Sequence, residues 1–213
     1  MKHVRFTLAS ILIVSVLMLI VAGDVAFGQA GGNVTINNDI TNNGTMRVRR
    51  DLINAAGKAV TVSGSGVVRF TGAQNHQIRS TTDSYSIAFS NLSLTQSGTV
   101  TMQVDVTAIN SLQIGDATNA YTATGNGFDI AARTLTIGNT ATYLAASTAP
   151  LTFSNGTVVF NGTAAQSVLN RASGVTYGTL TLSGTGTKSL QTGGKITAVT
   201  LSQSGGQLTV TED

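Results

Sequence analysis

The sequence predicts an all-β protein, and within that class a right-handed parallel β-helix that follows an N-terminal signal peptide. Three observations lead to this prediction. Short runs of alternating apolar and polar residues, rich in Thr, Val, Ile and Leu, recur between Gly, Asn and Ser turns. A long segment of this pattern occurs twice. Only 10% of the 213 residues are charged, so hydroxyl and amide side chains must supply most of the polar surface, as in exported β structure.

Residues 1–28 have the layout of a secretory signal peptide. A basic start is followed by an apolar run at 8–23 and then by small residues. Cleavage before Gln29 is the first choice and cleavage after Ala30 the second. The apolar run is shorter than the roughly 20 residues of a spanning helix, so an uncleaved anchor is the weaker interpretation and no membrane span is expected after cleavage. The leader indicates export, and the absence of Cys favours a bacterial exported protein over a disulfide-stapled secreted module. We therefore expect a protein that is secreted or displayed at the cell surface, with the periplasm as the other possible location.

The rest of the chain, 29–213, is predicted to be one β-helical domain of short strands. The one helix-like patch, 143–149, is brief and runs into Pro150. Alternation and turn residues place strands in 33–54, 58–64, 66–72, 90–96, 98–106, 109–115, 133–139, 156–162, 178–186, 196–205 and 206–210.

Segments 64–115 and 154–202 are predicted to be related modules. Their offset shrinks along the chain, which indicates deletions in turns, where chain-length changes are tolerated. The alignment pairs Phe70 with Phe160, His76 with Gln166, 88–94 with 176–182, and 109–114 with 196–201.

Two all-β architectures are compatible with such strands. A β-sandwich, or a pair of them, would join strands as hairpins and commonly bury Trp, but this chain has no Trp and one Pro. A parallel β-helix needs tight corners, for which Asn and Gly in left-handed conformations are suited. With about 20–25 residues per coil, the predicted mature chain would wind about eight coils. We therefore favour the β-helix.

Several stretches also resemble a known family. ITNNGTMRVRRDLIN, GSGVVRFTGAQNHQI, FSNLSLTQSGTVTMQVDV and INSLQI are similar to repeats in large secreted surface proteins of Bacteroidetes and related bacteria. The resemblance covers most of 33–210 and implies filamentous-haemagglutinin-like or autotransporter-like β-helix repeats in an adhesive surface protein. The chain departs from that family in showing no recognisable C-terminal sorting domain of the type IX secretion kind.

The sequence predicts no catalytic, cofactor-binding or metal-binding residues. Most acids adjoin Asn or Gly, as in Asx turns. Asp51, Asp105 and Asp129 lie in strand-like runs and are the best candidates for a glycosidase or lyase acid pair. His76 is the only histidine of the predicted mature chain, and its alignment with Gln166 favours a corner hydrogen bond over a catalytic triad. The acids of the predicted mature chain are Asp39, Asp51, Asp83, Asp105, Asp116, Asp129, Glu212 and Asp213.

Three other groups of polar residues could suggest binding or modification sites, but a structural role explains each of them better. The loop 115–129 offers oxygen donors at Asp116, Asn119, Asn126 and Asp129, but it lacks the acid density and spacing of a calcium loop. Arginines cluster at 47–50, where alternation would make Arg47 and Arg49 neighbours on a solvated strand edge, and we expect no nucleic-acid partner. Turn chemistry is also the preferred interpretation of five sequon asparagines, Asn33, Asn43, Asn91, Asn155 and Asn161.

These observations predict a non-enzymatic structural or adhesive module without a cofactor. Its partners would be surface carbohydrate, a surface protein, or a second copy of the chain joined through the terminal coil. The alternative is a carbohydrate-active enzyme, a polysaccharide lyase or glycosidase, on the same scaffold. Ice binding by threonine ladders is a third idea. It requires threonines in register on one face, and the irregular repeat offsets argue against that.

Overall fold

The chain folds into a parallel β-solenoid of about seven turns. The computed structural model describes residues 24–25, 32–82, 85–95, 98–115, 128–143, 151–190 and 192–209. Within these ranges there is no helix, and hence none long and apolar enough to cross a membrane. The strands are β1 (Asp24–Val25), β2 (Val34–Ile36), β3 (Ile40–Thr41), β4 (Thr45–Val48), β5 (Leu52–Asn54), β6 (Val60–Ser63), β7 (Val67–Phe70), β8 (His76–Ser80), β9 (Ile87–Leu94), β10 (Val100–Met102), β11 (Val106–Ile114), β12 (Phe128–Asp129), β13 (Thr134–Ile137), β14 (Thr140–Tyr143), β15 (Leu151–Phe160), β16 (Gln166–Val168), β17 (Val175–Leu182), β18 (Lys188–Leu190), β19 (Ile196–Gln203) and β20 (Leu208–Thr209).

Strand pairing confirms the β-helix and excludes the sandwich as the fold of the described chain. Every pairing between the named strands is parallel, and the one antiparallel contact among the described residues is an isolated bridge between Arg171 and Lys195. Hairpins would have produced antiparallel ladders instead. The prediction of about eight coils was slightly high, since about seven turns are formed.

Three sheets run along the solenoid. The largest has twelve strands in the order β1-β4-β7-β9-β11-β13-β15-β17-β19, with β3, β6 and β14 paired beside this path. A second sheet has the order β12-β10-β8-β5-β2, and a third the order β16-β18-β20. Some strands of the first sheet extend across a corner of the coil. β9, for example, pairs with β6 through its first half and with β7 through its second half.

The core lies inside the coils and is built from alternate residues of each strand. Side chains at the same register position stack from coil to coil, and each closes the apolar interior left open by the coil before it. Burial of each such side chain stabilises the fold by about 1.5–3 kcal/mol. One column, in which every member is at most 2% exposed, consists of Val62, Phe89, Ala108, Ile137, Phe160 and Leu182.

The corners differ from the prediction in one respect. Within the described chain, positive φ occurs at glycines and at Ala131, and not at any asparagine. Corner asparagines act through their side chains instead. The Asn54 amide donates to the Lys58 carbonyl at 2.8 Å, and its oxygen accepts from the Ala56 N–H at 2.9 Å. This pattern is an Asx turn, which needs no left-handed residue.

The register also corrects the last part of the repeat alignment. Ile87 of β9 lies opposite Val106 of β11, and Val175 of β17 lies opposite Ile196 of β19. Val106 and Ile196 are therefore equivalent, at an offset of 90 residues and not 87. The alignment at 87 paired Ile196 with Ile109, which is 39% exposed in the structure.

Most of the predicted signal peptide lies outside the described residues, as do 144–149 of the helix-like patch. The exception is β1, which pairs in parallel with β4, with Asp24 opposite Thr45 and Val25 opposite Met46. Removal of residues 1–28 would take β1 away and leave β4 at the edge of the sheet.

Candidate functional site

Every carboxylate whose side chain is described accepts a hydrogen bond from a backbone N–H. Asp39 Oδ1 accepts from the Thr61 N–H at 2.7 Å, and Asp105 Oδ1 accepts from the Thr134 N–H at 2.8 Å. In both cases the donor belongs to the next coil of the solenoid. These acids therefore tie successive coils together, with a charge-assisted hydrogen bond at each tie.

The other two described carboxylates have the same kind of partner. Asp51 Oδ1 accepts from the Gln77 N–H at 3.1 Å, and Asp51 Oδ2 lies 3.4 Å from Arg79 Nε. Asp129 Oδ1 accepts from the Ala131 N–H at 2.8 Å and so closes its own turn. Thus the three acids that the sequence made the best catalytic candidates all accept hydrogen bonds from backbone N–H groups, namely Asp51, Asp105 and Asp129.

The remaining predicted acids, Asp83, Asp116, Glu212 and Asp213, lie outside the described residues. So do Asn119 and Asn126, which leaves Asp129 as the one described residue among the four oxygen donors considered in the loop 115–129. Among the residues that are described, no three His, Cys, Asp or Glu side chains come close enough together to hold a metal ion.

His76 and Gln166 occupy equivalent buried positions, and both bind the backbone at a corner. His76 is 0% exposed, and its Nδ1 lies 2.8 Å from the Arg50 carbonyl oxygen. Gln166 accepts from the Gly162 N–H at 2.7 Å and donates to the Ile137 carbonyl at 3.0 Å. The predicted corner hydrogen bond of His76 is therefore confirmed.

Lys188 is a buried residue that the sequence analysis missed. It is 0% exposed, and its Nζ donates to the carbonyls of Gly162 and Gly186, both at 2.9 Å. Desolvation lowers the pKa of Lys188 below its ordinary value. The repeat contains a sequence signal, because an offset of 88 residues aligns Lys188 with Val100, and the register confirms that both occupy the same buried position. An inward-facing position of the repeat thus carries an ammonium group.

The arginine cluster is arranged differently from the prediction. β4 ends at Val48, so Arg47 lies within a strand while Arg49 and Arg50 are exposed beyond it. The neighbour of Arg47 is Arg69, directly opposite on β7. The expectation that Arg47 and Arg49 share a strand face is wrong because the strand stops between them.

Three sequon asparagines bind a neighbouring coil and do not close a turn, and Asn91 lies within β9, so the turn interpretation is wrong for Asn91. Asn33 Oδ1 accepts from the Asp51 N–H at 3.3 Å, and Asn43 Oδ1 accepts from the Ser65 N–H at 3.3 Å. Asn91 Nδ2 donates to the Gly66 carbonyl at 2.9 Å. Each of these side chains links one coil to its neighbour.

The most regular surface feature is a set of outward-facing threonines on four consecutive strands of the large sheet, which we call the threonine array. It has two columns that run across β13, β15, β17 and β19. All eight side chains are half-buried or exposed. The first column is Thr134, Thr157, Thr179 and Thr200, and the second is Thr136, Val159, Thr181 and Ser202.

No protein-family model, curated protein or solved structure matches this chain. The resemblance to bacterial surface-protein repeats therefore stays a prediction. Function has to be argued from the arrangement of these residues alone.

Proposed function

We propose that the chain is an exported, non-enzymatic β-helix module with a structural or adhesive role outside the cytoplasm. The proposal depends on the observation that the described carboxylates are hydrogen-bonded to the backbone. Hydrolysis of a glycosidic bond needs two carboxyl groups that are free to act on the substrate. Here each described carboxylate already accepts a hydrogen bond from a backbone N–H, so these acids are suited to holding coils together or to closing a turn.

Adhesion to surface carbohydrate or protein is supported by the outer faces of the solenoid. Outward positions carry mostly uncharged hydrogen-bonding side chains, held in fixed register by the stacked coils. Such faces can make many weak polar contacts with an extended partner at once.

Self-association with a second copy of the chain is the binding mode that we propose for the terminal coil. β19 pairs with β17 on one side and with no described strand on the other. Leu201 of β19 is 54% exposed, whereas its counterpart Leu112 of β11 is 1% exposed beneath β14. Within the chain, a strand such as β14 pairs with the edge of β11 and covers it. A second copy of the chain carries the same strands, so one of them could pair with the open edge of β19.

The first test locates and screens the protein. Cells of the source organism are fractionated, the N-terminus of the recovered protein is sequenced, and the protein is applied to a glycan array and incubated with polysaccharides. We expect an extracytoplasmic protein that starts at Gln29, binds glycan or itself, and leaves polysaccharide intact. Release of oligosaccharides would contradict the proposal and favour the polysaccharide lyase or glycosidase instead.

A further inference from the structure

The threonine array is a two-dimensional lattice. Along each column, neighbouring side chains are separated by the strand spacing of about 4.8 Å, and across the columns by two residues, about 6.6 Å. Thr134, Thr157 and Thr179 are direct register partners, and so are Thr181 and Ser202. A surface whose groups repeat in this way can meet equivalent sites of a second lattice at every contact.

The hydroxyl groups of the array are uncommitted. Elsewhere in the solenoid, hydroxyls such as those of Ser63 and Thr140 donate to carbonyls of neighbouring coils. The six threonine hydroxyls of the array make no hydrogen bond to any group in the part of the chain that the structure describes. They are therefore available to a partner outside the protein.

The array lacks the groups that recognise a single soluble ligand. Its eight positions hold six threonines, Val159 and Ser202, with no charged, aromatic or amide side chain among them. Ligand sites for small molecules are concave and use a few convergent polar groups. An outward sheet face of identical small groups fits a partner that is itself extended and periodic.

We propose that the threonine array binds the surface of ice. A tetrahedral hydrogen-bond network with O···O distances of about 2.75 Å places second-neighbour oxygens about 4.5 Å apart. The strand spacing of about 4.8 Å is close to this value, so hydroxyls on successive coils can hold waters at neighbouring lattice sites. Threonine is suited to the task because its β-branched side chain is stiff and presents a methyl group beside the hydroxyl.

The register is what makes this proposal possible, and the irregular repeat offsets had argued against it. Equivalent threonines of the first column are separated by 23, 22 and 21 residues along the chain. These differences are absorbed in the corners, because the strands remain aligned by their ladder hydrogen bonds and buried side chains. Unequal coil lengths therefore leave the outer lattice intact.

The test uses the protein purified from its source and a single ice crystal held just below its melting point. We expect growth to stop over a measurable interval below the melting point, with faceted crystals. Thr179 lies within the first column, between Thr157 and Thr200. The larger side chain of Thr179→Tyr would keep the ice surface from contacting the neighbouring threonines. It should raise the protein concentration needed for the same interval by about tenfold or more, since short-range contacts decay within about 1 Å.

Thr101→Tyr is the matched control. Thr101 is also a half-buried outward threonine, but it lies on β10 in the five-stranded sheet. The control should retain full activity. Val159→Thr completes the second column between Thr136 and Thr181 and should widen the interval. Circular dichroism melts confirm that the variants remain folded.

Four outcomes would overturn the proposal. The purified protein leaves ice growth unchanged, or the substitutions at Thr179 and Thr101 reduce activity equally, or Val159→Thr has no effect. Retention on crystalline cellulose or chitin without an effect on ice would also overturn it, while it would support the adhesive role. Glycan binding and self-association are scored separately, so failure of one proposal is distinguishable from failure of the other.

Discussion

Replacement of Tyr177 by Phe tests how the core of the solenoid is held together. The Tyr177 side chain is 0% exposed, its ring stacks on Phe153 with centroids 5.6 Å apart, and its hydroxyl donates to the Leu169 carbonyl. The equivalent residue of the first module is Phe89, which packs without a hydroxyl. Tyr177→Phe keeps the ring and removes a single oxygen atom.

The cost follows from the carbonyl that loses its donor. A buried acceptor deprived of its hydrogen bond costs about 1–3 kcal/mol, and in a chain of this size each kcal/mol lowers the Tm by about 2–4 °C. Burial also raises the pKa of Tyr177 well above its ordinary value of 10.0. Below pH 10 the contribution of Tyr177 to the free energy of unfolding is therefore fully present. Above pH 10 the unfolded chain ionises first, so the free energy of unfolding falls with rising pH.

Urea unfolding followed by circular dichroism at pH 7 and above pH 10 measures both effects. The variant should be less stable at pH 7 and should lose part of the alkaline decline. Tyr85→Phe is the control, because the half-buried Tyr85 makes no hydrogen bond within the described chain. It should stay within about 0.5 kcal/mol of wild type. If Tyr177→Phe does the same and keeps the wild-type alkaline decline, the reasoning is refuted.

Three further predictions concern the close contact between coils, the buried ammonium and the terminal coil. Gly186→Ala should destabilise the fold by at least about 2 kcal/mol in urea, because its Cβ would clash with the Ala164 carbonyl oxygen. Gly57→Ala has open space around the new Cβ but a φ of 66°, so it should cost only about 1 kcal/mol, and equal costs for the two substitutions would contradict the argument. Burial lowers the pKa of Lys188, so as the pH rises the folded protein loses this proton before the unfolded chain does, and the free energy of unfolding should rise as the pH approaches 10.5. Lys188→Met should abolish that rise, and an unchanged pH profile would count against this. Leu201→Lys should reduce self-association, measured by sedimentation, without lowering the Tm, because Leu201 is 54% exposed in the single chain. An unaltered sedimentation profile would show that the terminal coil is not the contact between copies.

Alternation and turn residues were sufficient to predict the all-β class and the parallel solenoid. The alignment of His76 with Gln166 likewise predicted a corner hydrogen bond, because both side chains can bind a backbone group at the same place. Lys188 escaped notice because a lysine in an alternating run is normally an outward residue. The register confirms that Lys188 lies inside the coil, opposite Gln166.

The sequence by itself determined that short strands would bury every second residue, since that period belongs to each strand alone. It could not determine which strands become neighbours, because pairing joins residues some 18–29 positions apart through corners of variable length. Tertiary structure decided that Thr134, Thr157 and Thr179 stand in line and that the described carboxylates tie coils together or close turns. The physical reason is that ladder hydrogen bonds and the stacked core align the strands, while the corners absorb the differences in length.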